Sequence, residues 1–91
     1  MKYLSDEIML AMLAKVQPIQ AEIVKTGHSA HLDVAVNDNI FDREYGHHIS
    51  FSMDIFYGTD LIESFDFSSS GSEEELNAEF GRMQAYVNNR L

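Results

Sequence analysis

Four histidines, a set of aspartates and a run of serines are the residues of this chain whose types could do chemistry. His28, His31, His47 and His48 would suit a divalent metal, but there is no cysteine and the spacing matches none of the known zinc frameworks. His28 and His31 stand at the start of one strand-like segment. His47 and His48 are adjacent, so in a strand they point to opposite sides. In the pairing derived below, His28 and His47 fall near opposite ends of the sheet, ~20 Å or more apart at ~3.3 Å per residue. A tighter turn near Asp38-Asn39 would bring His31 toward His47, which keeps a metal-dependent enzyme as a third reading. The expectation is no metal site and no cofactor.

Nucleophilic catalysis has little to work with. The serines lie in strand or linker contexts without a nucleophile-elbow pattern, and no phosphate-cradling or dinucleotide-binding glycine loop occurs. Asp33 and Asp66 could act as an acid–base pair, yet a flat sheet surface excludes no water and shifts no pKa usefully. The chain is therefore expected not to be an enzyme.

Charge is the outlying quantity. Fifteen acids against six bases give a net charge of −9. The bases Lys2, Lys15, Lys25, Arg43, Arg82 and Arg90 are scattered, so direct nucleic-acid binding is not expected. An acidic surface suits a basic partner, and also serves solubility alone. No apolar run approaches the ~20 residues that span a bilayer. MKYLSDE turns acidic too early for a secretory signal, and the lack of cysteine suits a reducing cytoplasm.

The elements that must position these residues follow from periodicity. The spacing predicts a helix over about 5–26, with Ser5 as N-cap and Pro18 inside it, kinking the helix near Ala14–Gln17. Strands are expected at about 30–36, 47–57 and 61–68, with a loop at 37–46 carrying Asp38, Asp42 and Glu44. Ser68-Ser69-Ser70-Gly71 reads as a short flexible linker. Ser72-Glu73-Glu74-Glu75 then forms a capping box opening a helix over about 72–91, with Leu76, Phe80, Met83, Val87 and Leu91 on its apolar stripe. Gly81 on that helix is read as a point of close packing.

The strand 47–57 alternates Ile49, Phe51, Met53, Ile55 and Tyr57 with His48, Ser50, Ser52, Asp54 and Phe56. For the oily residues to share a face, Phe51 must pair with Phe67, Met53 with Phe65, Ile55 with Glu63 and Tyr57 with Leu61, across a three-residue connection. The result is one α+β domain over 1–91: a two-layer α-β-β-β-α sandwich with a three-stranded antiparallel sheet and both helices on one face. The other face stays open. With Val34 near Phe51, Asp33, Ser52 and Asp66 form one row on it, and His31, Asp54 and Ser64 the next; Phe56 shares that face.

The α-β-β-β-α order is also that of double-stranded RNA-binding domains, whose second helix opens on lysines. Here Ser72-Glu73-Glu74-Glu75 stands in that place, so the likeness stops at topology. In length, charge, the acids Asp38, Asp42 and Glu44, and the aspartates Asp33, Asp54 and Asp66, the chain resembles small acidic phage-encoded inhibitors of host defence, anti-CRISPR proteins among them. That resemblance implies action in the host cytoplasm by occupying a basic groove that would receive DNA or guide RNA.

These readings combine into an expected non-enzymatic module that binds a basic protein surface, a nucleic-acid mimic blocking a nuclease or defence complex. Asp33, Asp38, Asp42, Glu44, Asp54, Phe56 and Asp66 are its expected partner-binding residues. The alternative is a small homodimeric structural or accessory protein joined through the open sheet face and Phe56.

Overall fold

A computed structural model describes residues 3–38 and 47–91 of the chain. Helix α1 spans Asp6–Lys25, strands β1, β2 and β3 span Ser29–Asp38, His47–Tyr57 and Asp60–Ser68, and helix α2 spans Glu73–Arg90. The fold is the α+β sandwich expected: a three-stranded antiparallel sheet in the order β1-β2-β3, with both helices on one face. Both helices start where their caps predict. The Ser5 hydroxyl accepts the Ile8 amide at 3.3 Å, and the Ser72 hydroxyl accepts the Glu75 amide at 3.1 Å. Helix α1 continues through Pro18 instead of restarting there. Ala14 and Pro18 are both exposed, so the carbonyl that Pro18 cannot serve can be hydrated.

The core forms where alternation and helical periodicity meet. Phe51 opposite Phe67, Met53 opposite Phe65 and Ile55 are buried under Met9, Met12, Val16, Ile19 and Ile23 of α1 and Leu76, Met83 and Val87 of α2. The Phe51 and Phe67 rings stack at 4.9 Å. The register of β1 on β2 is also as derived, with Val34 opposite Phe51 and Asp33 opposite Ser52.

Three features depart from expectation. The hairpin turns through two residues, Gly58 and Thr59, with Tyr57 paired to Asp60. Of these two turn residues Gly58 has a positive φ, +63°, and Thr59 does not, which suits a turn that needs glycine first. A bulge between Ile55 and Phe56 then absorbs the odd residue, so Phe56 pairs with Leu61 and Tyr57 does not. This moves Leu61 from the oily face to the open one, where it is exposed. Secondly, Ser69 is no linker residue. It is buried, its amide donates to the Ile49 carbonyl at 2.9 Å, its hydroxyl accepts the Ile49 amide at 2.9 Å, and its carbonyl accepts the Leu4 amide at 2.8 Å. Thirdly, Gly81 is exposed, and a Cβ there would meet open space, so it packs against nothing.

Helix α2 also closes the outer edge of β3. Glu79 Oε2 accepts the Asp66 amide at 3.0 Å, and Arg82 Nη2 donates to the Ser64 carbonyl at 3.0 Å. The two side chains are joined by Arg82 Nε donating to Glu79 Oε1 at 2.7 Å. Arg82 also reaches Glu63 Oε2 at 3.5 Å and lies 4.3 Å over the Phe65 ring. Glu63, opposite Ile55 at the margin of the oily face, thereby finds its charge partner. The hydrogen bond from Arg82 holds the Glu79 carboxyl below the usual carboxylate range, against an opposing effect of burial.

Two outcomes are expected. Gly81→Ala raises stability by about 0.5–1 kcal/mol in urea titration, because it fills no space and removes the helix penalty of glycine. A carboxyl with a lowered folded pKa stabilises above its unfolded value and loses that contribution as pH falls through the folded one. Stability of the wild type should therefore fall more steeply below pH ~4.3 than that of Glu79→Gln, which should lack about 1 kcal/mol at neutral pH. Parallel pH curves for the two proteins would show that the edge clamp is not electrostatic.

Candidate functional site

The face of the sheet that the helices leave bare is built from the even-numbered residues of β2 and their neighbours. Across the strands they stand in rows: Ala35, Ser50 and Ser68; Asp33, Ser52 and Asp66; His31, Asp54 and Ser64; Ser29, Phe56 and Leu61. The two rows predicted to carry aspartate are thus in place. Asp33 and Asp66 flank Ser52 from the outer strands, two strand spacings or roughly 9–10 Å apart.

Small serines at the centre and larger side chains at the flanks give this surface relief. Ser50 and Ser52 floor a shallow depression of about 340 Å³, with Asp33 and Asp66 among its walls. The depression is shallow and open to solvent, so the face encloses no buried pocket. Asp33 and Asp66 are exposed, and neither carboxylate has a basic partner among the described residues. Asp54 is half-buried and accepts the Ser64 hydroxyl at 2.5 Å. It is held in the sheet and contributes charge to the face with a fixed geometry.

The hairpin end of the face is apolar. The Phe56 ring lies 4.9 Å from that of His31 at a tilt of 50°, and Leu61, opposite Phe56, is 56% exposed. The bulge is what brings Leu61 there. At the other end His48 donates to or accepts from the Ser68 hydroxyl at 3.1 Å and stacks on Tyr3 at 4.9 Å. The face thus grades from an aromatic–aliphatic end through an acidic centre to a serine-rich end.

The histidines are dispersed. His28 meets the Thr26 hydroxyl at 2.9 Å and packs 5.5 Å from Tyr57, while His47 Nδ1 sits 2.9 Å from Asp6 Oδ2. Among the described residues, no three histidines or carboxylates gather as a metal site would require. Of the other acids named from sequence, Asp38 ends β1 opposite His47, and Asp42 and Glu44 lie outside the described residues. Sequence reasoning missed Leu61 and the pairing of His31 with Phe56. The second was open to it, since His31 and Asp54 share a row and Phe56 follows on the same side. No helix among the described residues is long and apolar enough to cross a membrane. Comparison of the chain with protein-family models, with curated proteins and with solved structures gave no match.

Proposed function

We propose that the chain is a non-enzymatic interaction module whose open sheet face docks on a basic protein surface, in the manner of an inhibitor occupying a groove that would otherwise receive nucleic acid. The observation that carries this reading is the Asp33–Ser52–Asp66 row beside Asp54, displayed on paired strands with the Asp33 and Asp66 carboxylates exposed and without a basic partner among the described residues. Net charge gives a long-range attraction toward a cationic partner, and the fixed carboxylates give a place for arginine or lysine to arrive. The exposed Leu61 and the half-buried Phe56 at one end supply the apolar contact that charge alone lacks. Ser50 and Ser52 keep the centre shallow enough for a long cationic side chain to lie in it. The acids Asp38, Asp42 and Glu44 add to the same attraction through charge.

Titration with a polyarginine peptide separates a docking face from bulk acidity. Asp33→Lys combined with Asp66→Lys should weaken binding about tenfold or more, with a shallower salt dependence. Glu73→Lys with Glu74→Lys makes the same change in net charge at the start of α2 and should weaken it far less. Equal losses in the two double variants would reduce the interaction to net charge and sink the reading.

A further inference from the structure

The two edges of the sheet are not equivalent, and hydrogen-bond parity says which groups of β1 are unmet. In an antiparallel strand the N–H and C=O of one residue point to the same side, and successive residues alternate. Ile49 bonds toward β3 through Ser69, and Ser64 and Asp66 point away from β2 toward α2. The even residues of β2 therefore bond β1, and through the pairing of Asp33 with Ser52 the odd residues of β1 bond back. The backbone groups of Ala30, Leu32, Val34 and Val36 are left facing outward. Gln20 Nε2 of α1 donates to the Ala30 carbonyl at 3.0 Å and closes that end. Among the described residues, Leu32, Val34 and Val36 remain as an open ladder.

The same edge is apolar. Val34 and Val36 are 49% and 59% exposed although they sit on the oily face, opposite the buried Phe51 and Ile49. Helix α1 lies against β1 at Gln20 but is tied at its other end toward β2 and β3, through Asp6 to His47 and Leu4 to Ser69. It crosses the sheet obliquely and uncovers the far half of β1. On the flank of α1 that carries Gln20, Leu10, Leu13, Gln17 and Val24 recur at helical spacing, and Leu10 and Val24 are 55% and 56% exposed.

We infer that β1 is a self-pairing edge: two copies join antiparallel through β1 about a two-fold axis at Val34, giving a continuous six-stranded sheet. In that register Val34 meets the second copy's Val34, and Leu32 meets its Val36, so apolar faces apolar through the whole open ladder. Asp33 falls opposite Ala35 and not opposite another acid; the two Asp33 side chains are diagonal neighbours, whose strand positions lie ~7–8 Å apart. An axis perpendicular to the sheet keeps both α1 helices on one side. It also sets the Gln20–Val24 end of each helix beside the uncovered Val36 of the other copy, so each fills the other's gap. A single extended peptide would satisfy the ladder but leave the α1 flank bare. A strand edge ~30 Å long and ~10 Å deep, with the near half of α1 adding about half as much again, offers roughly 450 Å² a side, the size of a weak, transient interface. Both open acidic faces stay uncovered, so this assembly neither needs nor blocks basic-partner docking.

Sedimentation equilibrium over roughly 10 µM to 1 mM, where an interface of this size should associate, reads the outcome directly. The expected result is a monomer–dimer equilibrium that strengthens between ~0.05 and ~0.5 M salt, because screening relieves the repulsion of two acidic copies. Val34→Lys and Val36→Lys, at positions already exposed in the monomer, should each raise the dissociation constant about tenfold or more. The amides of Leu32, Val34 and Val36 should exchange more slowly as concentration rises, while those of His31 and Asp33 do not change. Asp66→Lys and Phe56→Ser should leave association intact, whereas Asp66→Lys contributes to the loss of polyarginine binding. A monomer throughout the range, a dimer indifferent to both lysine variants, or a dimer lost in Phe56→Ser overturns the inference.

Discussion

The alternation of β2 is the constraint on which the molecule depends, because it fixes two things at once. Ile49, Phe51, Met53 and Ile55 send their side chains under the helices, and Ser50, Ser52, Asp54 and Phe56 send theirs to the bare face. The same alternation sends successive backbone groups toward β3 and β1 in turn. A slip of one residue in β3 would expose Phe65 and Phe67, at about 1.5–3 kcal/mol each. It would also turn the Asp66 amide and the Ser64 carbonyl away from Glu79 and Arg82. Packing and edge chemistry thus demand the same register, and neither can change without the other.

Edges are where a small sheet is vulnerable, and the two edges here meet different fates. On β3 the Glu79–Arg82 pair imitates a neighbouring strand, supplying an acceptor for one outward amide and a donor for one outward carbonyl. On β1, among the described residues, only the Ala30 carbonyl receives such a substitute. The oblique path of α1 explains why: the helix that could have covered Val34 and Val36 is drawn across to Ser69 and His47. A net charge of −9 sets a general repulsion against random edge pairing, while a register that places apolar residues opposite one another remains open to a specific one.

Much of this was legible in the residues. The pairs Phe51–Phe67, Met53–Phe65 and Ile55–Glu63, and the rows through Asp33 and His31, follow from period two and the need to bury one face. Ser5 and Ser72 announce their helices because their hydroxyls have a defined amide to cap. The bulge at Ile55/Phe56 was not legible, since the extra residue, Ile62, disturbs no buried side chain and shifts only the exposed Asp60, Leu61 and Ile62. Ser69 was hidden by its neighbours, because a serine run reads as linker unless the partner amide is known. The role of Glu79 as a strand substitute depends on how α2 lies along β3, which helical periodicity does not encode. The exposure of Val34 and Val36 depends in the same way on a crossing angle that periodicity does not encode. The acids of the candidate site could be placed by sequence, whereas the depression between them could not.

The acids are also sorted by length. The bare sheet face carries Asp33, Asp54 and Asp66, while α2 carries Glu73, Glu74, Glu75 and Glu79. Glutamates in a first helical turn meet the positive end of the helix dipole and keep several freely rotating bonds in water. An aspartate on a strand has fewer torsions to lose, so its carboxylate is already near the position a partner would find it in. Asp54, fixed by the Ser64 hydroxyl, has given up still more of that freedom before any partner arrives. Small serines between the aspartates prevent side-chain crowding from covering them. Charge on α2 thus supplies stability and long-range field, whereas charge on the sheet is arranged so that contact costs little further ordering. That distinction, more than the total of −9, is what makes the bare face the better candidate for recognition.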